Sequence, residues 1–119
     1  MWRCAVASFS DKPWDGSASR WDTPEAYCSA CLIDLNPSGK AKVKDLCHLP
    51  VKEPGGGYNR NAVHAAAGGR GITRVQGVPA AVRKSAAKAI VRLYTAMGET
   101  APESVYRVAG MVRPKERET

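Results

Sequence analysis

The sequence predicts a mostly α protein with a minor β element, an α+β fold in one small domain. Helical apolar patterns with recognisable capping residues recur along the chain, and one proline-bounded extended segment separates them. A chain of 119 residues is long enough to form one modest hydrophobic core. The low aromatic content of 7% and the 11 glycines and 8 prolines indicate loop-rich ends around this core.

Residues 1–22 are predicted to form an extended N-terminal arm. The stretch "DKPWDGSASRWDTP" is rich in turn formers and has no sustained period. Trp14 and Trp21 are large apolar side chains in this polar segment. Such an arm docks either on its own domain or on a neighbouring subunit, so both tryptophans are candidate partner contacts.

The first helix of the domain (residues 23–110) is predicted over residues 24–35. Thr23 is a favourable N-cap, and Pro24 suits the first helical position. The turn formers "NPSG" end the helix. One apolar stripe of this helix would contain Tyr27, Cys28, Cys31, Leu32 and Leu35.

The middle of the chain is predicted to be largely extended. After a short helical turn in "KAKVKDLC", the segment "HLPVKEP" contains two prolines that are excluded from a helix interior. The following "GGGY" is a flexible turn, which favours a small hairpin near residues 48–60.

Three further helices are predicted. The first runs through "RNAVHAAAG", capped by Asn59 or Asn61, and the last through "PESVYRVAG". The strongest pattern, "AAVRKSAAKAIVRLYTAM", lies between Pro79 and Gly98. Its predicted buried stripe is Val82, Ala86, Ala89, Ile90, Leu93 and Met97. Residues 111–119 are predicted to form a flexible, charged C-terminal tail.

The net charge of +7 resides in the second half of the chain. Residues 1–59 contain seven basic and seven acidic side chains, whereas residues 60–119 contain eleven and four. No Asp or Glu occurs between Arg60 and Gly98. A field of one sign favours an acidic partner, either nucleic acid or an acidic protein surface, over the alternative of a merely solvated face. The candidate contacts on the strongest helix are Arg83, Lys84, Lys88 and Arg92.

The cysteines allow three interpretations. Cys28 and Cys31 form a C-x-x-C pair, and Cys47-His48 follows sixteen residues later. A zinc site using Cys28, Cys31, Cys47 and His48 would need two adjacent residues to reach one metal, or a fourth ligand from Cys4 or His64. Packing as small apolar side chains is the favoured interpretation, and a disulfide from Cys47 to Cys28 or Cys31 is the third. We therefore expect no cofactor, with zinc as the alternative.

The sequence predicts no enzyme. His48 and His64 are the only histidines, and neither has a nucleophile motif nearby. The glycine-rich "GGRG" lacks the Lys-Ser/Thr of a phosphate loop. No run approaches the roughly 18 apolar residues of a membrane span, and the N-terminus lacks the apolar region of a secretory signal. We therefore expect no membrane partner and synthesis in a cytoplasm.

Five stretches together resemble a known family. "WDGSASRW", "CLIDLNP", "LPVKEPGG", "NRNAVHAAAGG" and "VRLYTAMGETAPESVYRVAG" occur in an order and spacing similar to those of a small domain of tailed-bacteriophage head proteins. That domain is frequent in phages of actinobacterial hosts, alone or joined to a prohead-protease or scaffold-like region. The resemblance covers roughly residues 13 to 110. The family's function is largely unknown, and it supplies no catalytic residue to this chain.

The resemblance implies a virion protein. The expected role is that of a minor capsid or decoration protein, made in the host cytoplasm, which binds the phage major capsid protein. Other copies of the chain are a second expected partner. One alternative is a sequence-neutral nucleic-acid-binding module that contacts DNA, with or without zinc. The other is a head-assembly scaffold domain that is absent from the mature particle.

Overall fold

A computed structural model describes residues 9–68 and 71–113 of the chain. It has the predicted fold class, with helices predominating over a few short strands. In chain order the elements are β1 (Phe9–Ser10), α1 (Pro24–Ala30), β2 (Cys31–Asp34), β3 (Cys47–Pro50), β4 (Tyr58–Asn59), α2 (Arg60–Ala67), α3 (Ala80–Ala96) and α4 (Glu103–Ala109). Short 3₁₀ turns occupy Ala18–Arg20 and Lys44–Leu46.

Helix α1 begins as predicted and ends five residues early. The Thr23 hydroxyl accepts a hydrogen bond from the Ala26 amide at 3.1 Å, which caps the helix. The prediction of helix over residues 31–35 is wrong, because the chain turns into β2 and pairs antiparallel with β3. This pairing places Ile33 in the core at 1% exposure while Asp34 faces solvent. Burial of a β-branched residue on a sheet outweighed the local helical pattern.

A tight turn follows β3 inside the segment predicted to hold a hairpin. The Glu53 amide donates to the Gly57 carbonyl at 2.8 Å, and Lys52 forms an antiparallel bridge with Tyr58. Strand β4 then pairs in parallel with β1, with Phe9 opposite Tyr58. The short β elements therefore connect the beginning of the described chain to its middle.

The helices α2, α3 and α4 enclose the main core. Helix α3 packs against α2 and most extensively against α4. It buries Ala86, Ala87, Ile90, Val91 and Tyr94, of which only Ala86 and Ile90 belong to the predicted stripe. The other predicted residues are only half-buried: Val82, Ala89, Leu93 and Met97. Helix α4 ends at Gly110, whose φ of +71° is the left-handed conformation that glycine adopts readily. The Met111 amide donates to the Tyr106 carbonyl at 2.9 Å and completes this helix end.

A loop after α2 is bound closely to the helices on both sides. The Ile72 amide donates to the Ala66 carbonyl at 2.8 Å, and Ile72 itself is fully buried. A Cβ atom on Gly71 would lie 1.9 Å from the Ala66 oxygen, so only glycine fits there. The Arg83 guanidinium of α3 donates to the carbonyls of Ile72 and Val75 at 2.6 and 2.5 Å.

The N-terminal arm is bound to the domain through asparagine side chains. The Asn59 amide group donates to the Lys12 carbonyl at 3.2 Å, and that of Asn61 donates to the same carbonyl at 2.8 Å. Trp14 and Trp21 also pack on the domain. Of the two end segments predicted from the sequence, residues 1–8 and 114–119 lie outside the described residues.

Asn59 is fully buried and joins three parts of the chain. Its Oδ1 accepts from the Ala62 amide at 2.9 Å, which caps α2. Its Nδ2 donates to the Lys12 carbonyl and to Glu53 Oε2, the latter at 2.5 Å. Both polar atoms of this side chain are therefore satisfied without water.

We expect Asn59→Ala to lower the free energy of unfolding by about 2–4 kcal/mol, since it removes a helix cap and leaves buried groups unpaired. The measurement is urea unfolding followed by circular dichroism. The control is Asn61→Ala, an exposed neighbour that also binds the arm, for which we expect a loss of about 1 kcal/mol or less. Equal losses in the two variants would contradict the central role of Asn59.

Candidate functional site

Helix α3 presents an exposed cationic face formed by Lys84, Lys88 and Arg92. These residues follow one another at intervals of four, so they lie about 6 Å apart along the helix axis. In residues 9–68 and 71–113, none of the three has a carboxylate within ion-pair distance. Their charge is directed at solvent, as the sequence predicted.

The surroundings of the cationic face are small and uncharged. The other exposed residues of α3 are Ala80, Ala81, Ser85, Thr95 and Ala96. None of them projects beyond the long cationic side chains or neutralises them. A negatively charged surface could therefore approach the helix closely.

Arg83, predicted as a fourth contact, has a different role. Its guanidinium is half-buried and donates to the Ile72 and Val75 carbonyls. It thus holds the loop after α2 against α3. We therefore remove Arg83 from the candidate contacts.

The two predicted tryptophan contacts are also occupied within the chain. Trp21 is 2% exposed and meets Tyr27 edge-on with ring centroids 5.1 Å apart. Trp14 is half-buried against Trp21, and the Arg20 guanidinium lies 5.1 Å from the Trp14 ring centroid. The tryptophan arm docks on its own domain, so Trp21 is corrected from a partner contact to a core residue. Trp14 retains only partial exposure.

A second group of basic residues is neutralised locally. Arg60 donates to Asp11 at 2.8 Å and to Glu99 at 2.6 Å, while His64 Nε2 donates to the other oxygen of Glu99 at 2.8 Å. The hydrogen bond from His64, with that from Arg60, lowers the pKa of Glu99. This network links the arm, α2 and the loop between α3 and α4. The hydrogen bond to Glu99 gives His64 a structural role. The sequence showed that no acidic residue lies between Arg60 and Gly98, but it did not show that Arg60 itself is paired with Asp11 and Glu99.

Cys28 and Cys47 form a disulfide that joins α1 to β3. Their sulfur atoms are 2.12 Å apart and their Cα atoms 5.4 Å apart. Both residues are 3% exposed and pack with Trp21 and Tyr27, so the favoured interpretation of packing alone is corrected to packing with covalent pairing. Cys31 is a free thiol among the cysteines that the structure describes, and burial raises its pKa to about 12 despite a hydrogen bond with Tyr27. This thiol is consequently protonated and unreactive at neutral pH.

The four residues considered for zinc do not converge. Within the described residues, the cluster of potential metal ligands consists of Cys28, Cys47 and Asp34, with ligand atoms within 4.8 Å of one another. Neither Cys31 nor His48 belongs to it. Cys4, considered as a fourth ligand, lies outside the described residues.

Asn36 covers the disulfide from the loop between β2 and β3. Its Nδ2 lies 3.3 Å from Cys47 Sγ and 3.6 Å from Cys28 Sγ, and its Oδ1 accepts from the Val43 amide at 2.8 Å. Asp34 accepts from the Asn36 amide at 2.9 Å and forms an ion pair with Lys42. The hydrogen bond from Lys42, with those from Asn36, lowers the pKa of Asp34 to about 2.

A groove of about 320 Å³ lies between α2, β3 and the arm. Its walls are mainly apolar, and the titratable side chains in its lining are His48 and Tyr27. Burial raises the pKa of Tyr27, so its phenol is not a base at neutral pH. This lining provides a single imidazole and lacks a nucleophile paired with a base.

The chain matches no family model, no curated protein and no solved structure. The resemblance to a phage-head domain therefore stays a prediction. Among the helices of the described chain, none combines the length and the apolar character needed to cross a membrane.

We expect the free energy of unfolding to fall as the pH drops below about 4. The pKa values of Asp34, Glu53 and Glu99 are lowered in the folded chain. Their stabilisation is complete above the ordinary carboxyl pKa and is lost as the pH falls through the folded values, for Asp34 between about 4 and 2.

Urea unfolding between pH 7 and 2.5 measures this loss. Asp34→Asn should flatten the acid limb of the stability profile. Glu25→Gln, which removes an exposed carboxylate without an ion-pair partner among the described residues, serves as the control. If the acid limb of the stability profile is the same in Asp34→Asn as in the natural chain, Asp34 does not contribute to the loss of stability in acid.

We expect loss of the disulfide to cost about 3 kcal/mol of unfolding free energy, because the bond closes a loop with a sequence separation of 19. Urea unfolding of the oxidised and the reduced chain gives this difference. Peptide mapping without reductant should recover Cys28 linked to Cys47. Cys31→Ala is the control and should retain the linked peptide; a link through Cys31 would disprove the pairing.

Proposed function

We propose that this chain is a non-enzymatic accessory protein of a tailed-bacteriophage head, in which the cationic face of α3 docks on an acidic surface of the major capsid lattice. The observation that supports this proposal is the run of three exposed cations without acidic partners among the described residues. Charges that a chain leaves unpaired on one face steer association with a surface of opposite sign.

The phage-head context rests on the resemblance of residues 13–110 to a head-protein domain. A decoration protein binds a repeated lattice in many copies, so a modest contact at each site is sufficient for occupancy. A flat helical face with small side chains between its cations suits such a shallow contact. The proposed location is therefore the virion.

A second candidate function uses the same face on nucleic acid. Three cations at regular intervals along a helix can contact successive phosphates of a backbone. The exposed residues of α3 between them include no Asn or Gln to read base edges. Binding of this kind would be sequence-neutral and steeply salt-dependent.

The test is a charge reversal that spares the fold. We expect Lys88→Glu with Arg92→Glu to weaken binding to purified capsids lacking this chain by about 10-fold or more, or about 1.4 kcal/mol. Lys84 is left unchanged because its side chain lies against Gly110. Co-sedimentation with capsids measures the binding.

The matched control is Lys12→Glu with Lys40→Glu, which changes the net charge equally at two exposed positions away from α3. Equal weakening by both double variants would contradict a specific role of the cationic face. Binding to DNA but not to capsids, abolished between about 50 and 200 mM salt, would favour the nucleic-acid candidate. Presence of the chain in immature but not in mature heads would identify a scaffold domain.

A further inference from the structure

The nitrogen of the Asn36 side chain lies among more hydrogen-bond acceptors than it can serve. Four acceptor atoms surround Nδ2: Asp34 Oδ1 at 2.9 Å, the Val43 carbonyl at 3.2 Å, Cys47 Sγ at 3.3 Å and Cys28 Sγ at 3.6 Å. An amide NH₂ has only two protons. Two of these acceptors also have a backbone donor: the Asn36 amide donates to Asp34 Oδ1 at 2.9 Å, and the Leu46 amide donates to the Val43 carbonyl at 3.3 Å. The two sulfur atoms share what this NH₂ can provide, and the point that all four acceptors surround is rich in lone pairs.

We propose that the reduced chain binds one Zn²⁺ at this point through the thiolates of Cys28 and Cys47 and the carboxylate of Asp34. The same two sulfur atoms form either the disulfide or the metal bonds. Oxidation and metal binding therefore exclude each other, and the site is controlled by redox conditions.

The ligand types and their spacing suit zinc. Two thiolates and a carboxylate belong to its usual ligand set, at bond lengths of about 2.0–2.3 Å. In a tetrahedral site such bonds separate the ligand atoms by about 3.5 Å, and here the three ligand atoms already lie within 4.8 Å of one another. A water molecule completes the coordination once Asn36 has turned aside.

The proposed ligands are placed by rigid elements. Cys28 lies in α1, Cys47 begins β3 and Asp34 ends β2, and β2 pairs directly with β3 through Asp34 and Cys47. This set differs from the one expected from the sequence, because Asp34 takes the place of Cys31 and His48. The sequence spacing could not reveal Asp34, since only the strand pairing brings it to Cys47.

One feature prepares Asp34 for this role. Its partner Lys42 is 37% exposed and can turn into solvent when a cation replaces it. Movement of the loop between β2 and β3 provides the remaining change in the positions of the ligand atoms.

The chemistry balances with an ordinary reductant. A dithiol transfers two electrons and two protons to the disulfide, which becomes two thiols while the dithiol becomes a cyclic disulfide. Zn²⁺ then displaces the two thiol protons into solution as it forms two Zn–S bonds. Oxidation by a disulfide reverses these steps and releases the metal.

The test compares oxidised and reduced full-length chain in zinc binding. A phosphine is the reductant, because it converts the disulfide and water to two thiols and phosphine oxide. Competition with a chromophoric chelator gives the affinity, and elemental analysis after gel filtration gives the stoichiometry. We expect about one zinc per reduced chain and none per oxidised chain. Co²⁺ in place of zinc should give sulfur-to-metal charge-transfer absorption.

Variants identify the ligands. We expect both Asp34→Ala and Asp34→Asn, whose amide has the shape of the carboxylate, to weaken zinc binding. The loss of affinity should be at least roughly 10–100-fold, because removal of a residue that only hydrogen-bonds to a metal ligand already costs that much. Asp34 is exposed, so circular dichroism should show both variants folded. Cys31→Ser and His48→Ala are controls and should bind as the natural chain does.

Three results would overturn the proposal. One is the absence of zinc binding by the reduced chain at micromolar metal. Another is equal binding by oxidised and reduced chain. The third is loss of binding in Cys31→Ser or His48→Ala with none in the Asp34 variants, which would assign the metal to a different ligand set. None of these readouts depends on capsid or DNA binding.

Discussion

The structure depends on one buried asparagine. The side chain of Asn59 is fully buried, and it simultaneously caps α2, holds the Lys12 carbonyl of the arm and orients the Glu53 carboxylate. The backbone amide of Asn59 donates to the Val51 carbonyl at 3.0 Å. Since a buried amide without partners is costly, the arm, the turn after β3 and helix α2 have to assemble around it together.

The effect of Asn59 extends to the tryptophan arm through Glu53. Glu53 accepts from Arg20 at 2.9 Å, and the Arg20 guanidinium lies over the rings of Trp14 and Trp21. The smaller aromatic cluster around Trp21 is thereby tied to the main core on one side, while the disulfide ties α1 to β3 on the other. The hydrogen bonds of Arg20 and Asn59 to Glu53 thus join the smaller cluster to the main core, whereas the disulfide, whose two cysteines both belong to the smaller cluster, holds that cluster together.

The features that the sequence predicted are those with local causes. The Thr23 cap and the helix end at Gly110 follow from neighbouring residues, and both are present. Of the predicted stripe of α3, Ala86 and Ile90 are buried. Strand β2 was mistaken for helix because its partner β3 lies more than ten residues away. The same limit applies to the site: the exposure of Lys88 followed from periodicity, whereas the internal hydrogen bonds of Arg83 depend on a loop whose path the sequence does not show.

The way the chain uses its basic residues supports a partner for α3. Arg20, Arg60 and Arg83 each donate to partners within the fold, whereas Lys84, Lys88 and Arg92 make no ion pair among the described residues. Like charges four residues apart on a helix destabilise it by about 0.2–0.5 kcal/mol per pair. Stability alone would favour a glutamate at one of these positions, as Glu103 and Arg107 pair on α4. The cationic face is therefore an arrangement that opposes the stability of its own helix, and an anionic partner would remove that repulsion on binding.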